Sequence, residues 1–529
     1  MDMVWFFPVL ALALTFAYAF SLVKYEQYKP ALTLFIASFA ASAIFWSEPE
    51  VIIDVSRYFT YAKHLALYGT GDFLSQWGNA INPWTDLPLV PFVYGLIFNV
   101  LGESRIFIQI FNSTLFSLTV VLTFFIGQTL WSDEIGFYAG TMILGIPYIF
   151  SQVPLMLVDV PAMFLLTLSV FTFIQVMEKG GVWILLSSLA VLCAIFSKYS
   201  TWMMLSVLVV IFVVYLFQNT DYRTQITDVQ RTKASLFRIC FQRGLSVAII
   251  TLILAGIAFL LKSDVVLSQI AFLREYQAPG LRRWGESFVS TFLYQIHPFI
   301  TISAIFSIYV AIKKRDSKFI IISWLIILIV MLQIRRSRYV MVIFPMFTLM
   351  ASYGLSYLKN SDLKRYIASS IVAFSLAVAI FAYLPFLKSM SIENIQQAGK
   401  YLNTIVNPVI RVFTTHSDKA AVNPAVSVPV LDLYTNKHIS YHYDDKVVPP
   451  LEAIEKSPLR FTWEYRNPDY YKKYVNDNGK NTAVVVISNG DDALPEYITE
   501  KITGLEQINI FNTSTGIFRY NPVVTVYQP

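Results

Sequence analysis

Long apolar stretches separated by short polar loops recur along this chain from its first residues to about Pro385. A bilayer core of about 30 Å needs about 20 helical residues. By that measure twelve spans are predicted: 3–23, 30–46, 105–130, 135–152, 157–177, 182–197, 200–217, 245–261, 291–312, 319–334, 339–357 and 366–385. The segment 87–101 (LPLVPFVYGLIFNVL) is shorter and carries Pro88 and Pro91 in its first turns. It is either a thirteenth span or a helix lying along the membrane surface. The run Met3–Val23 lacks a basic flank in front and a small-residue cleavage site behind, so it reads as a retained helix. Beyond Pro385 the pattern changes. Ile392, Ile395, Leu402 and Ile405 have helical spacing over 392–405, and β-branched runs at 409–414, 426–434 and 483–488 read as strands. A closing run, 507–527, reads as a hairpin around Thr513–Gly516. The expected architecture is a polytopic α-helical membrane domain over 1–386, with an outer loop 47–104 carrying surface helices, followed by an extracytoplasmic α/β domain over 387–529.

Composition removes the soluble alternatives. With 56% hydrophobic and only 14% charged residues, no arrangement of soluble domains hides the apolar surface. Of 40 basic and 34 acidic residues, 14 and 15 follow Tyr383, leaving 26 and 19 before it, so the positive balance sits in the membrane half. That balance suits anionic headgroups, orientation signals or an anionic substrate, and nothing in it suggests nucleic acid. If 87–101 stays on one face, Lys313, Lys314, Arg315 and Lys318 share a side with Arg223, Arg231, Lys233, Arg238 and Arg243, which is the cytoplasmic bias. A spanning 87–101 would put basic loops outside, so the surface-lying reading is preferred. Cys193 and Cys240 lie in different environments and form no disulfide framework.

The few remaining charges are where chemistry can sit, because an ionisable group at a span costs about 2.5–3.5 kcal/mol on insertion scales. Asp54 opens VIIDVSRYFTYAKHLALYG, in which Asp54, Arg57, Tyr58 and Tyr61 share a helical face. An outer carboxylate there can accept a proton from a hydroxyl; a helix-end charge balanced by Arg57 explains it too. Asp159, two residues before Pro161, reads either as a cap or as a second outer carboxylate. Lys198 breaks an apolar stretch, and Arg335, Arg336, Arg338 and Tyr339 form a basic cluster, all on the predicted outer side. Positive charge there opposes the orientation rule and points to a phosphate clamp, with headgroup snorkelling as the plain alternative. The outer loop 262–290 adds Arg274 and Arg282. His438 and His442 near Asp444 and Asp445 are weak metal evidence and read better as a solvated edge.

In order along the chain, these residues resemble the GT-C glycosyltransferases, among them the protein O-mannosyltransferase and lipid A aminoarabinose transferase families. The resemblance covers most of 30–385 and rests on the early outer Asp54, the proline-bearing surface helix, Asp159 followed by Pro161, Ser197–Lys198 and the RYVMVIFP run. DVSRY matches the DxxRY pattern of the aminoarabinose transferases, and the closing α/β domain fits their architecture. The resemblance implies Asp54 as catalytic carboxylate, Asp159 as a second acid lining the site and Lys198 as a phosphate ligand. Arg57, Tyr58, Arg338 and Tyr339 would help hold the lipid phosphate, as would Arg274 or Arg282. The chain departs from that pattern in Val55, where many relatives have a second acid, and in Thr85–Asp86, where a Lys is expected. It also lacks the WWDYG motif of oligosaccharyltransferases, which argues against block transfer of an oligosaccharide.

The expected function is transfer of a single sugar from a polyprenyl (dolichyl-type) phosphate donor to a hydroxyl on a protein, lipid or glycan acceptor, with inversion and Asp54 as base. Partial burial is expected to raise the basicity of Asp54. No nucleotide-binding loop and no convincing metal site are read, so no cofactor is expected; the pattern neither requires nor rules out a divalent metal. The rival is a transporter or flippase of an anionic polyprenyl-linked lipid, although no internal repeat of the kind transporters carry is found. Convergence of Asp54, Asp159, Lys198 and Arg338 in one outward cavity favours the transferase, and scattering removes it.

Overall fold

The computed structural model describes residues 29–51, 54–221, 229–274, 285–415, 421–441, 459–472, 482–490, 493–516 and 520–529, with isolated positions between 7 and 18 and at Ile454 and Ser457. Most of the predicted span 3–23 lies outside the described residues. Among the described residues six helices are each long and apolar enough to cross a membrane: Arg105–Leu130, Asp159–Lys179, Tyr199–Phe217, Phe237–Leu261, Ser337–Leu355 and Ser361–Ser389. The chain is an integral membrane protein with a mostly helical, polytopic fold. Other predicted spans are shorter helices, such as Pro30–Ala43, Val182–Ser197 and Phe319–Met331, of roughly 20–24 Å at 1.5 Å per residue.

Two predicted spans are interrupted where a proline follows. The run 135–152 divides into Asp133–Ile143 and Pro147–Gln152, with Ile146 extended before Pro147. The run 291–312 divides into a π-helical Ser290–Ile296 and Pro298–Lys314, with His297 extended before Pro298. In both, the proline ring disfavours helical geometry at the preceding residue. Close helix packing relies on missing side chains. A Cβ on Gly136 would stand 2.3 Å from the Phe124 carbonyl oxygen, so Asp133–Ile143 and Arg105–Leu130 approach backbone to backbone.

Among the helices that follow the first described span are Val55–Tyr68 (α1) and Leu89–Leu101 (α2). At 13 residues α2 is about 20 Å long, the length of Phe319–Met331. It packs along α1, where Gly95 sits against Leu65 and Ala62.

After the bundle come Glu393–Leu402 (α3), Val409–Thr414 (β1), Ser427–Tyr434 (α4), His438–Tyr441 (β2), Ala483–Asn489 (β3), Glu506–Phe511 (β4) and Pro522–Gln528 (β5). Among the described residues they form one sheet of order β2-β1-β3-β5-β4. The first three strands are parallel, and β5 and β4 join antiparallel as the expected closing hairpin. The run 426–434 is a helix, not the strand its β-branched residues suggest. Asn423 Oδ1 accepts from Ala425 N and Pro424 opens a 3-10 turn that feeds the helix. Every residue of α4 is buried, so no alternation between a wet and a dry face favours a strand.

The apolar interior is divided. One core lies within the bundle, around residues such as Phe124, Ile174, Leu325 and Leu349. A second joins α1 and α2 to the sheet, through Phe59, Leu65, Tyr94, Ile395, Leu431 and Val485. The turn Leu155–Val158 belongs to this second core, so Asp159, the next residue, stands where the two meet.

Candidate active site

Four chain segments deliver charge to that boundary. Asp54 precedes α1 in the N-cap position, and Asp159 begins its long helix, yet neither side chain makes a capping hydrogen bond. Their carboxylates turn instead to Arg338. Its Nη1 bonds Asp54 Oδ2, and its Nε donates to Asp159 Oδ2 at 2.6 Å. Lys198 Nζ donates to the other Asp159 oxygen at 2.5 Å and lies 4.6 Å from the Tyr339 ring centroid. Arg57 Nη2 stands 3.6 Å from Asp54 Oδ1. Asp159 and Arg338 are 0% and 6% exposed, so each charge depends on its partners for the stabilisation that water would otherwise give.

Local chemistry aims each group. Lys198 is extended between Val182–Ser197 and the short helix Tyr199–Met204. The hydroxyl of Thr201 and the indole N–H of Trp202 donate to the carbonyls of Ala194 and Ile195, satisfying the end of the first helix and leaving the Lys198 side chain to cross to Asp159. Arg338 sits in the one-turn helix Ser337–Val340, whose start is held by Glu286: its Oε2 accepts from Ser337 N at 2.5 Å and from Ser337 Oγ at 3.0 Å.

A third carboxylate completes the cluster, and its role was missed in the sequence. Asp86 accepts from Tyr58 OH at 3.1 Å and lies 3.3 Å from Arg57 Nε. Gln269 donates to the backbone carbonyls of Trp84 and Asp86, and Tyr199 OH donates to Gln269. This loop is therefore fixed by side chains far away in sequence. The available signal was a lone acid among prolines, Pro83, Pro88 and Pro91, just before an apolar helix.

The two loop carboxyls differ in proton affinity. Burial pushes Asp54 up, but the guanidiniums of Arg338 and Arg57 outweigh it and hold the group at about 2. The expected gain in basicity from burial is thus more than cancelled in this arrangement. Asp86 goes the other way. Burial raises it, Arg57 only partly offsets the rise, and the negative Asp54 adds to it.

The remaining candidates separate. Arg336 lies 5.4 Å from the Tyr339 ring centroid and acts on Asp54 through charge. Arg335 is exposed and turned to Gln333 and the Phe288 ring, away from the cluster. Arg274 is exposed, and Arg282 lies outside the described residues. His438 is exposed at the start of β2, while His442, Asp444 and Asp445 lie outside the described residues. Among the described residues no three His, Cys, Asp or Glu side chains are grouped to hold a metal ion.

Beside the cluster opens a cleft of about 610 Å³ between α1, the 80–84 loop and the 461–470 segment. Arg57 belongs to both: it lines the cleft, and its guanidinium carbon lies 5.2 Å from the Phe461 ring centroid and 6.0 Å from that of Trp84.

The family model for dolichyl-phosphate-mannose-protein mannosyltransferases matches residues 92–267, about a third of the chain. The structure is similar to that of ArnT from Cupriavidus metallidurans bound to undecaprenyl phosphate, with a TM-score of 0.56 at 12% identity over 94% of this chain and 97% of that one. The same protein in the apo state gives a TM-score of 0.53 at 11% identity, with the same coverage. The sequence matches no curated protein. The chain has the fold of the GT-C superfamily of membrane glycosyltransferases.

Proposed function

We propose that this protein transfers a single sugar from a polyprenyl-phosphate donor to an acceptor hydroxyl at the extracytoplasmic face, with inversion. The carrying observation is the meeting of Asp54, Asp159, Lys198 and Arg338, spread over 285 residues of sequence, in one buried cluster beside an open cleft. The donor class is supported by two independent likenesses: one matched structure holds undecaprenyl phosphate, and the matched family is described by dolichyl-phosphate-mannose. The basic loop Lys313–Lys318 lies at the other end of the bundle, which by the orientation rule makes the cluster end external.

The chemistry follows from charge. The acceptor oxygen bonds to the anomeric carbon as the bond from that carbon to the phosphate oxygen breaks. The phosphate leaves with the bonding pair and gains a negative charge, which Arg338 and Lys198 neutralise. The hydroxyl proton passes to Asp54. In-line displacement on opposite faces inverts the centre. A donor phosphate competes with Asp54 for Arg338, and every hydrogen bond it takes returns basicity to the carboxylate. A transport path would instead spread such charges through the bundle.

The test is transfer from a labelled polyprenyl-phosphate sugar by the purified protein. Asp54→Asn is expected to fold, to bind the lipid phosphate, and to lose turnover by about 10²–10⁴-fold, the usual contribution of a general base. Turnover retained by Asp54→Asn removes it from the mechanism.

A further inference from the structure

We propose that the cleft beside Arg57 is the acceptor site and that it takes a neutral oligosaccharide chain. The inference rests on the glycosyl-transfer reading for the need of a hydroxyl acceptor; the class of acceptor comes from the cleft itself.

Its volume, about 610 Å³, is that of a small-molecule site. Its shape is long. Arg57, Tyr61, His64 and Tyr68 recur along the cleft-facing side of α1, and the eleven helical steps from Arg57 to Tyr68 cover about 16 Å. That exceeds one hexose and suits a chain lying along the helix, with its reacting end at Arg57 and hence beside Asp54.

The lining selects among acceptor chemistries. Tyr61, Trp84, Phe461 and Tyr465 provide aromatic faces, which pack against the C–H faces of pyranose rings while polar tips reach hydroxyls. The buried polar atoms at the cleft that find no hydrogen-bond partner among the described residues include Arg57 Nη1, a donor, and Asn467 Oδ1, an acceptor. A hydroxyl both donates and accepts, so a polyol satisfies unlike groups along one wall without alternating chemistry. Charge excludes a polyanion. Asp72, Glu464 and Asp469 outnumber Arg57 and Arg466, and His64 is already engaged with Asp72 at 2.8 Å. The walls are helix α1, loops and 3-10 turns; neither edge strand of the sheet, β2 or β4, lines the cleft. An extended peptide would lack the backbone edge on which strand-like recognition depends.

The experiment is ligand-observed saturation-transfer NMR and competition on the purified full-length protein in detergent. Three probes are used: a panel of neutral linear tetrasaccharides, a panel of Ser/Thr-containing decapeptides, and undecaprenyl phosphate. A tetrasaccharide is expected to bind, and Asn467→Ala and Phe461→Ala each to weaken it at least tenfold while undecaprenyl phosphate binds as before. Lys198→Ala is expected to do the reverse. Decapeptides binding in place of sugars, or tetrasaccharide binding indifferent to both cleft variants, overturns the proposal, as does a panel in which no tetrasaccharide binds. If undecaprenyl phosphate fails to bind while tetrasaccharide binding holds, the donor reading falls and the cleft assignment stands.

Discussion

Two buried charge clusters lie on opposite sides of α1, and they solve the same problem differently. At the candidate active site, Asp54, Asp86 and Asp159 face Arg57, Arg338 and Lys198, cation for carboxylate, with Arg336 adding positive charge nearby. At the joint with the sheet, Lys63 alone serves two carboxylates, Asp432 of α4 at 2.6 Å and Glu103 at 3.0 Å. Tyr471 OH donates to Asp432 as well, at 2.8 Å. The first cluster is balanced toward accepting an anion; the second carries excess negative charge and no cation to lend. Burial alone therefore does not mark a site. Spare positive charge next to an open cleft does.

The comparison breaks most sharply at Arg338. Arg338→Ala leaves two carboxylates, each within about a tenth of full burial, without their shared guanidinium. Removing one partner from a buried pair costs about 3–5 kcal/mol. Arg338→Ala is expected to lower the thermal midpoint in detergent and to abolish undecaprenyl phosphate binding together. Arg338→Lys keeps the charge but not the fork, so it should recover stability better than binding. Equal recovery of both would mean that Arg338 only balances charge.

Much of this site was legible because a charge in an apolar surrounding needs a reason. Asp54, Asp159, Lys198 and Arg338 each interrupt an apolar run, and all four meet. Which neighbour points inward was not legible. Arg335, Arg336 and Arg338 read as one basic cluster, but the chain is extended at Arg336 before turning helical, which sends Arg335 outward and Arg338 inward. Asp86 was hidden for another reason: it sits in a loop whose shape is set by Gln269 and Tyr199. In the fold, helix positions followed from apolar length. The breaks at Ile146 and His297 depend on single prolines, and helix α4 wins over strand propensity through burial on all sides.

A smaller effect is expected at the joint. Lys63→Met removes the cation shared by Asp432 and Glu103, yet Tyr471 still donates to Asp432. The loss should be about 1–3 kcal/mol, the cost of a buried group left partly unmet. Undecaprenyl phosphate binding is expected to stay unchanged, because no contact of Lys63 reaches the Arg338 cluster. Adding Asp432→Asn should restore part of the midpoint. Donor binding lost in Lys63→Met would tie the two clusters into one functional unit and dissolve the contrast drawn between them.

The smallest effect sharpens the excess negative charge itself. Burial raises the Glu103 carboxyl, the neighbouring Asp432 carboxylate adds to the rise, and Lys63 offsets only part of it, leaving the group at about 7 against an ordinary 4.5. The groups facing it are Lys63 and Asp432, with Tyr471 held on Asp432 and the Tyr470 ring 5.7 Å from Lys63 Nζ. Between pH 4.5 and 7 the folded chain keeps a proton that the unfolded chain has lost, so stability falls as pH rises through that window and levels off above it. Glu103 is partly open to solvent, and screening holds the effect to about 1 kcal/mol or less. Glu103→Gln still accepts from Lys63 but has no proton to lose. Its midpoint is expected to fall less than the wild type's between pH 5 and pH 8, and to exceed the wild type's at pH 8. Equal falls in the two proteins would place the negative excess elsewhere and remove the charge contrast drawn between the joint and the active-site cluster.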